Sequence, residues 1–296
     1  MTHRIALSTL TWLISLLIAA TVAAQPQTNS TMTANTASTP AIGPNDAVVE
    51  IVTSEGPIRV MLYGDTPRHR DNFVKLASEG YYDGTLFHRV IKDFMVQGGD
   101  PDSKGAPKGK MLGMGEPGYD IEAEFEAYPR RFHKKGALAA ARQGDAVNPQ
   151  KRSSGSQFYI VTGKTYNASQ LDQMEQRMRQ AQLKSVFDSL AAQHRDSIMS
   201  MRRNHDRDGL QVLQDTLVAK AEAMVKENPV KLTPEQREAY TTVGGTPHLD
   251  GAYTVFGEVI DGMEVVDKIQ QAATDSHDRP LDDIVVEKMA VINPGK

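Results

Sequence analysis

The stretch Phe87-His88-Arg89-Val90-Ile91-Lys92-Asp93-Phe94-Met95-Val96-Gln97-Gly98-Gly99-Asp100 concentrates the groups of this chain that could act on a substrate. It offers a guanidinium at Arg89, an amide at Gln97 and polarizable apolar side chains at Phe94 and Met95. Read as a strand, Phe94–Gly98 puts Phe94 and Met95 on opposite faces and Gln97 on the face of Met95, with Arg89 on the strand before. The set holds no nucleophile and no acid–base pair. Such residues would bind and polarise a substrate without making or breaking covalent bonds. His88, inside the apolar run, reads as a scaffold residue and not as a ligand.

Other chemistries are excluded by what the chain lacks. It has 296 residues and no cysteine, which removes disulfides, thiol catalysis, Cys-ligated zinc and iron–sulfur clusters. There is no G-x-S-x-G, S-x-x-K or H-E-x-x-H, and the 8 histidines are scattered. A balance of 33 Lys+Arg against 37 Asp+Glu gives a formal charge of −4, with no basic run long enough to track a phosphate backbone, so no nucleic-acid partner is expected. Gly113-Met-Gly115-Glu-Pro-Gly118 matches a dinucleotide pattern, but Pro117 interrupts it and no helical segment follows; it reads as a surface loop. Asn204 to Asp215 imitates a calcium loop with Asn at the first position and a short terminal Asp; a capped helix–helix turn fits better. No cofactor and no metal are expected.

The elements that must position these residues are legible in outline. Residues 1–24 read as a signal peptide: Arg4, an apolar run over Leu10–Ala20, and Val22-Ala23-Ala24 before Gln25. That run is short for a membrane span, so none is expected in the mature form, which also loses Trp12. Residues 25–45, rich in Thr, Asn, Ser, Ala and Pro, read as a disordered linker, with order beginning near Ala47. Ala47–Thr53 and Ile58–Tyr63 flank a hairpin turn, and Pro67–Glu79 carries a helical period ending at Gly80. Short β-like runs follow at Thr85–Val90, Phe94–Gly98, Ala137–Ala141, Gln157–Thr162, Thr254–Val259 and Ile284–Ile292, the signature of an antiparallel barrel or sandwich. Residues 165–245 differ. Two helices with apolar stripes at Leu171, Met174, Met178, Leu183, Phe187, Leu190 and at Leu210, Leu213, Leu217, Met224 meet near Asn204–Gly209. A third, short helix opens at Thr233-Pro234-Glu235-Gln236. The folded domain thus spans 46–296, interrupted by a helical hairpin at 165–245.

The stretch from Phe87 to Asp100 resembles the signature of the cyclophilins, peptidyl-prolyl cis–trans isomerases. Further blocks resemble the same family in the same order: Asn72-Phe73 with Gly80-Tyr81-Tyr82-Asp83-Gly84-Thr85, Gly136–Arg142 with Gly155–Ile160, and Leu249–Gly257. The resemblance implies a mainly β fold, a closed eight-stranded antiparallel barrel capped by two helices, with the pocket on its outer surface and the helical hairpin as an insertion. It assigns Arg89 and Gln97 as catalytic. It puts the proline pocket at Phe94, Met95, Tyr159 and Leu249, with Ala141 beside it and Arg142 offering its backbone. Tyr159 stands where phenylalanine is usual, His248 at a tryptophan-type position and Tyr253 at the family's pocket histidine. By the resemblance, the missing indole puts cyclosporin sensitivity in question but not isomerase activity.

The function expected is acceleration of X-Pro rotation in folding exported proteins, with Arg89 stabilising the twisted amide. The partners expected are proline-containing peptides and unfolded exported proteins, with the protein a monomer in the periplasm. The alternative is a non-catalytic peptide-binding or chaperone module of the cell envelope that uses the barrel groove and the helical hairpin.

Overall fold

The computed structural model describes residues 41–295. The expected signal peptide, Trp12 and most of the expected linker lie outside the described residues. The linker's end does not: Gly43–Asp46 forms a turn held by the Gly43 amide on the Asp46 carboxylate, and Arg70 donates to the Asn45 carbonyl at 2.6 Å. Order therefore starts before Ala47.

The chain runs β1 (Ala47–Thr53), β2 (Gly56–Leu62), α1 (Pro67–Ser78), β3 (Arg89–Ile91), β4 (Met95–Gly98), β5 (Asp120–Ile121), β6 (Ala137–Ala140), β7 (Ser153–Ser154), β8 (Phe158–Val161), α2 (Ala168–Gln193), α3 (Arg195–Arg203), α4 (Arg207–Glu227), α5 (Pro234–Thr242), β9 (Val255–Asp261), α6 (Met263–Ile269) and β10 (Val286–Asn293). Eight strands pair antiparallel in the order β10-β1-β2-β9-β6-β8-β4-β3, and β5 pairs with β7 apart from them.

The sheet curls into a half-barrel that stays open between β3 and β10, so the expectation of a closed barrel is corrected. The reason lies in the run Thr85–Val90, of which only Arg89 and Val90 join a strand. Its first half follows an irregular path, with the Thr85 hydroxyl and amide both turned back to the Tyr82 carbonyl. Across the opening run an isolated bridge from Leu86 to Val285 and backbone hydrogen bonds from the Gly84, Phe87 and Val90 amides to the Val286, Ile284 and Asp278 carbonyls and from the Val286 amide to the Thr85 carbonyl.

Alternation sorts the two faces of the sheet. Val49, Ile51, Ile58, Val60, Val96, Leu138, Ala140, Phe158 and Ile160 fill the concave core, closed by Phe73, Leu76 and Ala77 of α1 and Val265, Val266 and Ile269 of α6. Phe158 meets Phe73, Tyr82 and Phe87 edge-on.

Between β8 and β9 lie the helices. The expected first helix is broken at His194 into α2 and α3, and α4 opens with the Asp206 side chain capping the Gly209 amide, the capped turn expected in place of a calcium loop. Leu190, Leu217 and Ala221 form the buried seam between α2 and α4, while Met224, expected in the stripe, is 45% exposed. Capping boxes start α2 at Asn167/Gln170 and α5 at Thr233/Gln236. The segment leaves and re-enters the sheet through a tight crossing. A Cβ on Gly163 would approach the Gly245 Cα to 2.4 Å, and one on Gly245, whose φ is +154°, would meet the His133 carbonyl at 2.2 Å. No described helix is long and apolar enough to cross a membrane.

Candidate active site

The site grows out of one register. Arg89 pairs with Gln97, Gln97 with Tyr159 and Tyr159 with Ala139, a row of residues directly opposite one another across β3, β4, β8 and β6. Such neighbours stand about 5 Å apart. The outward parity that carries Met95 and Gln97 also carries Ala137, Ala139, Tyr159 and Val161, so the convex face holds a second apolar cluster. A turn at Pro247–Leu249 then brings Leu249 and, further on, Tyr253 onto that cluster.

There a cavity of about 160 Å³ is lined by Arg89, Phe94, Met95, Gln97, Ala141, Arg142, Tyr159, Leu249 and Tyr253. Nine of the ten residues expected from sequence meet here; the tenth, His248, is exposed and stacks on Phe94 at 5.6 Å with a 22° tilt. Partial desolvation of the ring against its neighbours, then the nearby His133, holds the His248 ring below the ordinary imidazole range. Phe94 and Met95 do not face opposite ways as expected, since both line the cavity. Phe94 precedes the ladder, in a turn set by Asp93 at φ 58° and closed by the Phe94 amide on the Ile91 carbonyl, so strand alternation does not reach it.

Arg89 is held without being consumed. Its Nε donates to Asp278 and one terminal nitrogen to Gln97 Oε1, both at a long 3.4 Å, and the side chain is 42% exposed. Contacts that long between half-exposed groups contribute little. Gln97 donates in turn to Gln157 at 3.1 Å, and buried Gln157 donates to the Gly115 carbonyl at 2.8 Å. Arg142 makes no hydrogen bond through its backbone among the described residues, so its amide and carbonyl stand unpaired at the cavity. Its side chain has a role the sequence did not suggest. It donates to the Ala252 carbonyl and to Asp145, and its guanidinium lies 4.5 Å from the centre of the Tyr253 ring.

Sequence reasoning missed Gln157, Asp278 and the pair His133–Asp250 behind Tyr159. Gln157 had a signal: it is two residues before Tyr159, on the same face, within the segment Gly155–Ile160. Asp278 had none, being 189 residues from Arg89.

Two other polar clusters compete as sites. A larger cavity, about 440 Å³, lies between residues 116–120 and 143–154, but it is polar and open and shares no residue with those expected. On its floor Ser153 meets His69 Nε2 at 2.9 Å and His69 Nδ1 meets Glu124 at 2.6 Å, the connectivity of a hydrolytic triad. Ser153 is only 2% exposed, and Glu124 also accepts the backbone amides of Arg68 and His69 at the first turn of α1. A nucleophile must be reached; this cluster anchors a helix terminus instead.

A family model described as cyclophilin type peptidyl-prolyl cis-trans isomerase matches residues 48–211 and 223–291, including most of the helical segment. A Staphylococcus epidermidis protein named "Putative peptidyl-prolyl cis-trans isomerase" is 31% identical over 248 residues, covering 83% of this chain and 92% of its own length. A Streptococcus pyogenes protein, "Putative bifunctional phosphatase/peptidyl-prolyl cis-trans isomerase", is 30% identical over 248 residues; the chain spans 38% of it. A solved cyclophilin type isomerase of Cryptosporidium parvum aligns over 83% of this chain and 97% of its own, at 21% identity and a TM-score of 0.47. With the family model matched over most of its length, the chain belongs to the cyclophilin-type peptidyl-prolyl cis–trans isomerases.

Proposed function

We propose that the chain accelerates rotation about X-Pro bonds in proteins folding after export, and that Arg89 supplies the decisive interaction. The observation that carries this is a guanidinium held loosely at the rim of a small apolar cavity, beside an amide and with no nucleophile in the lining. Rotation must break amide resonance against a barrier of about 18–20 kcal/mol. Halfway round, the prolyl nitrogen turns pyramidal and regains a lone pair that the planar amide lacks. A donor aimed there binds the transition state more strongly than the ground state, which is the condition for catalysis. A contribution of about 3–4 kcal/mol, that of an oxyanion-hole donor, gives a rate gain on the order of a hundredfold to a thousandfold.

The other residues hold the substrate in register with that donor. Phe94, Met95, Leu249 and Tyr159 enclose the ring, Gln97 engages the carbonyl side, and the free backbone of Arg142 aligns the chain before proline. Export rests on the pattern of residues 1–24, and the same pattern makes the periplasm the proposed location. The direct test is a protease-coupled isomerisation assay on a short X-Pro peptide. Arg89→Ala should lower kcat/KM on the order of a hundredfold or more while peptide binding persists; equal rates in both proteins would make this a binding module.

A second reading, client holding by the helices, is favoured by a groove of about 380 Å³ lined by Phe187, Ala191, Ile198, Leu210, Leu213 and Leu217 with Arg202 and Gln214. Since α3 buries no residue, Ile198→Glu alters the groove at little structural cost. It should slow catalysis on an unfolded protein several-fold and leave a short peptide unaffected. Unchanged rates on both substrates would reduce the helices to packing.

A further inference from the structure

Asp250 stands between the pocket and α5, its side chain wholly shielded from solvent. One carboxylate oxygen accepts the His133 backbone amide and His133 Nδ1, each at 2.9 Å. The other accepts the Tyr240 hydroxyl at 2.6 Å and the Gln236 side-chain amide at 3.0 Å, both from α5. A carboxylate only accepts, so Nδ1 carries the proton, and in the neutral ring Nε2 is left to accept from the Tyr159 hydroxyl at 2.9 Å. The Tyr159 ring lies nearly parallel to His133 at 6.0 Å, and Tyr253 stands edge-on to both. Tyr159 and Tyr253 line the cavity; Asp250, His133, Tyr240 and Gln236 do not.

The geometry points to Asp250 as a positioning residue through which helix α5, outside the sheet, sets the wall of the prolyl pocket. Tyr240 and Gln236 fix the carboxylate, the carboxylate fixes the His133 ring and its tautomer, and His133 fixes the rotation of Tyr159. Leu249, adjacent in sequence, is anchored by the same residue. A buried network of this kind is worth having only when every member is satisfied, and losing one partner leaves a buried acceptor unpaired. The hydroxyl at position 159 thereby gains a reason: phenylalanine there would leave His133 Nε2 without its partner. The inference rests on the cavity being the X-Pro site.

The test is a double-mutant cycle in the full chain. Tyr240→Phe, which touches no substrate, should raise KM for a short X-Pro peptide about fivefold and keep kcat within about twofold. In a Tyr159→Phe background the same change should leave KM unmoved, because the relay is already cut at its far end. Equal effects in both backgrounds, or a lower melting temperature with KM unchanged, would overturn the inference. Should Tyr240→Phe fail to fold, Gln236→Leu probes the same carboxylate oxygen in the same cycle. Absence of isomerisation by the unaltered protein would defeat the reading of the cavity; isomerisation with uncoupled variants would defeat only the role of Asp250.

Discussion

At the scale of single residues, the site separates groups that line the cavity from groups that hold them. Arg89, Gln97, Phe94 and Met95 were legible because they sit within one short stretch whose residue types exclude covalent chemistry. Asp278 and His133 were not, because their contacts span 189 and 117 residues and carry no periodic pattern. His88, a scaffold residue by its place in an apolar run, is 3% exposed with neither ring nitrogen hydrogen-bonded. Burial holds its pKa down at about 4, against 6.5 for the free ring. Between those values the unfolded chain carries the extra proton, so this residue withdraws stability as pH falls from about 6.5 toward 4. Full titration amounts to about 3 kcal/mol. Denaturant unfolding at pH 7 and pH 4.5 should show His88→Phe losing about 2 kcal/mol less than the unaltered protein over that interval. Identical losses would mean that the ring is protonated in the fold.

At the scale of elements, the periodicities placed α1 and seven strands to within about two residues, because alternation and helical spacing are local. They start β3 four residues early at Thr85 and give no sign of β5 or β7. They did not find the break at His194, where the apolar spacing continues across α2 and α3 and no Gly or Pro marks the stop. Nor did they find what fastens the start of α1. Thr66 gives no side-chain cap there, and Glu124 reaches in from a distant loop to accept two of the free amides. Burial alone would raise the Glu124 pKa, but the hydrogen bonds from His69 and the two amides outweigh it and bring it below the ordinary glutamate range. A lowered folded pKa means stability present above the unfolded value and lost as pH drops through the folded one. Glu124→Gln should therefore cost about 1–3 kcal/mol at pH 7, and the gap should close as the pH is taken well below 4. A gap that stays constant down to pH 3 would show that charge is not the source.

At the scale of the whole molecule, the family resemblance gave the strand count and the side of the sheet that carries the pocket, but not the opening of the sheet. That opening follows from Leu86 and Phe87 meeting Val285 and Ile284, just ahead of β10, through isolated bonds where a ladder would need a straight run. The crossing at Gly163, Gly244 and Gly245 is equally a product of tertiary context; sequence shows the glycines but not that they face each other. Gly245→Ala would drive a methyl into the His133 carbonyl and the Tyr240 ring. It should destabilise by about 3 kcal/mol and, by moving α5, raise KM as well. Urea denaturation and peptide kinetics check both halves, and a protein of normal stability would show that the crossing is loose.

The same crossing brings the exit and return of a long excursion to within touching distance, residues 165–245 starting and finishing at one spot on the sheet. Because the entropy of joining two fixed points grows only slowly with the length of chain between them, the distal arm can lengthen, shorten or be exchanged with little consequence for the catalytic sheet. Helix α5, bonded to Asp250 through Tyr240 and Gln236, and the start of α2, which packs on it through Leu171 and pairs with Arg237 through Asp172 and Glu175, lie outside that freedom. The architecture thus separates a distal arm, the far part of α2 with α3 and α4, from a base fastened to the sheet, the start of α2 with α5.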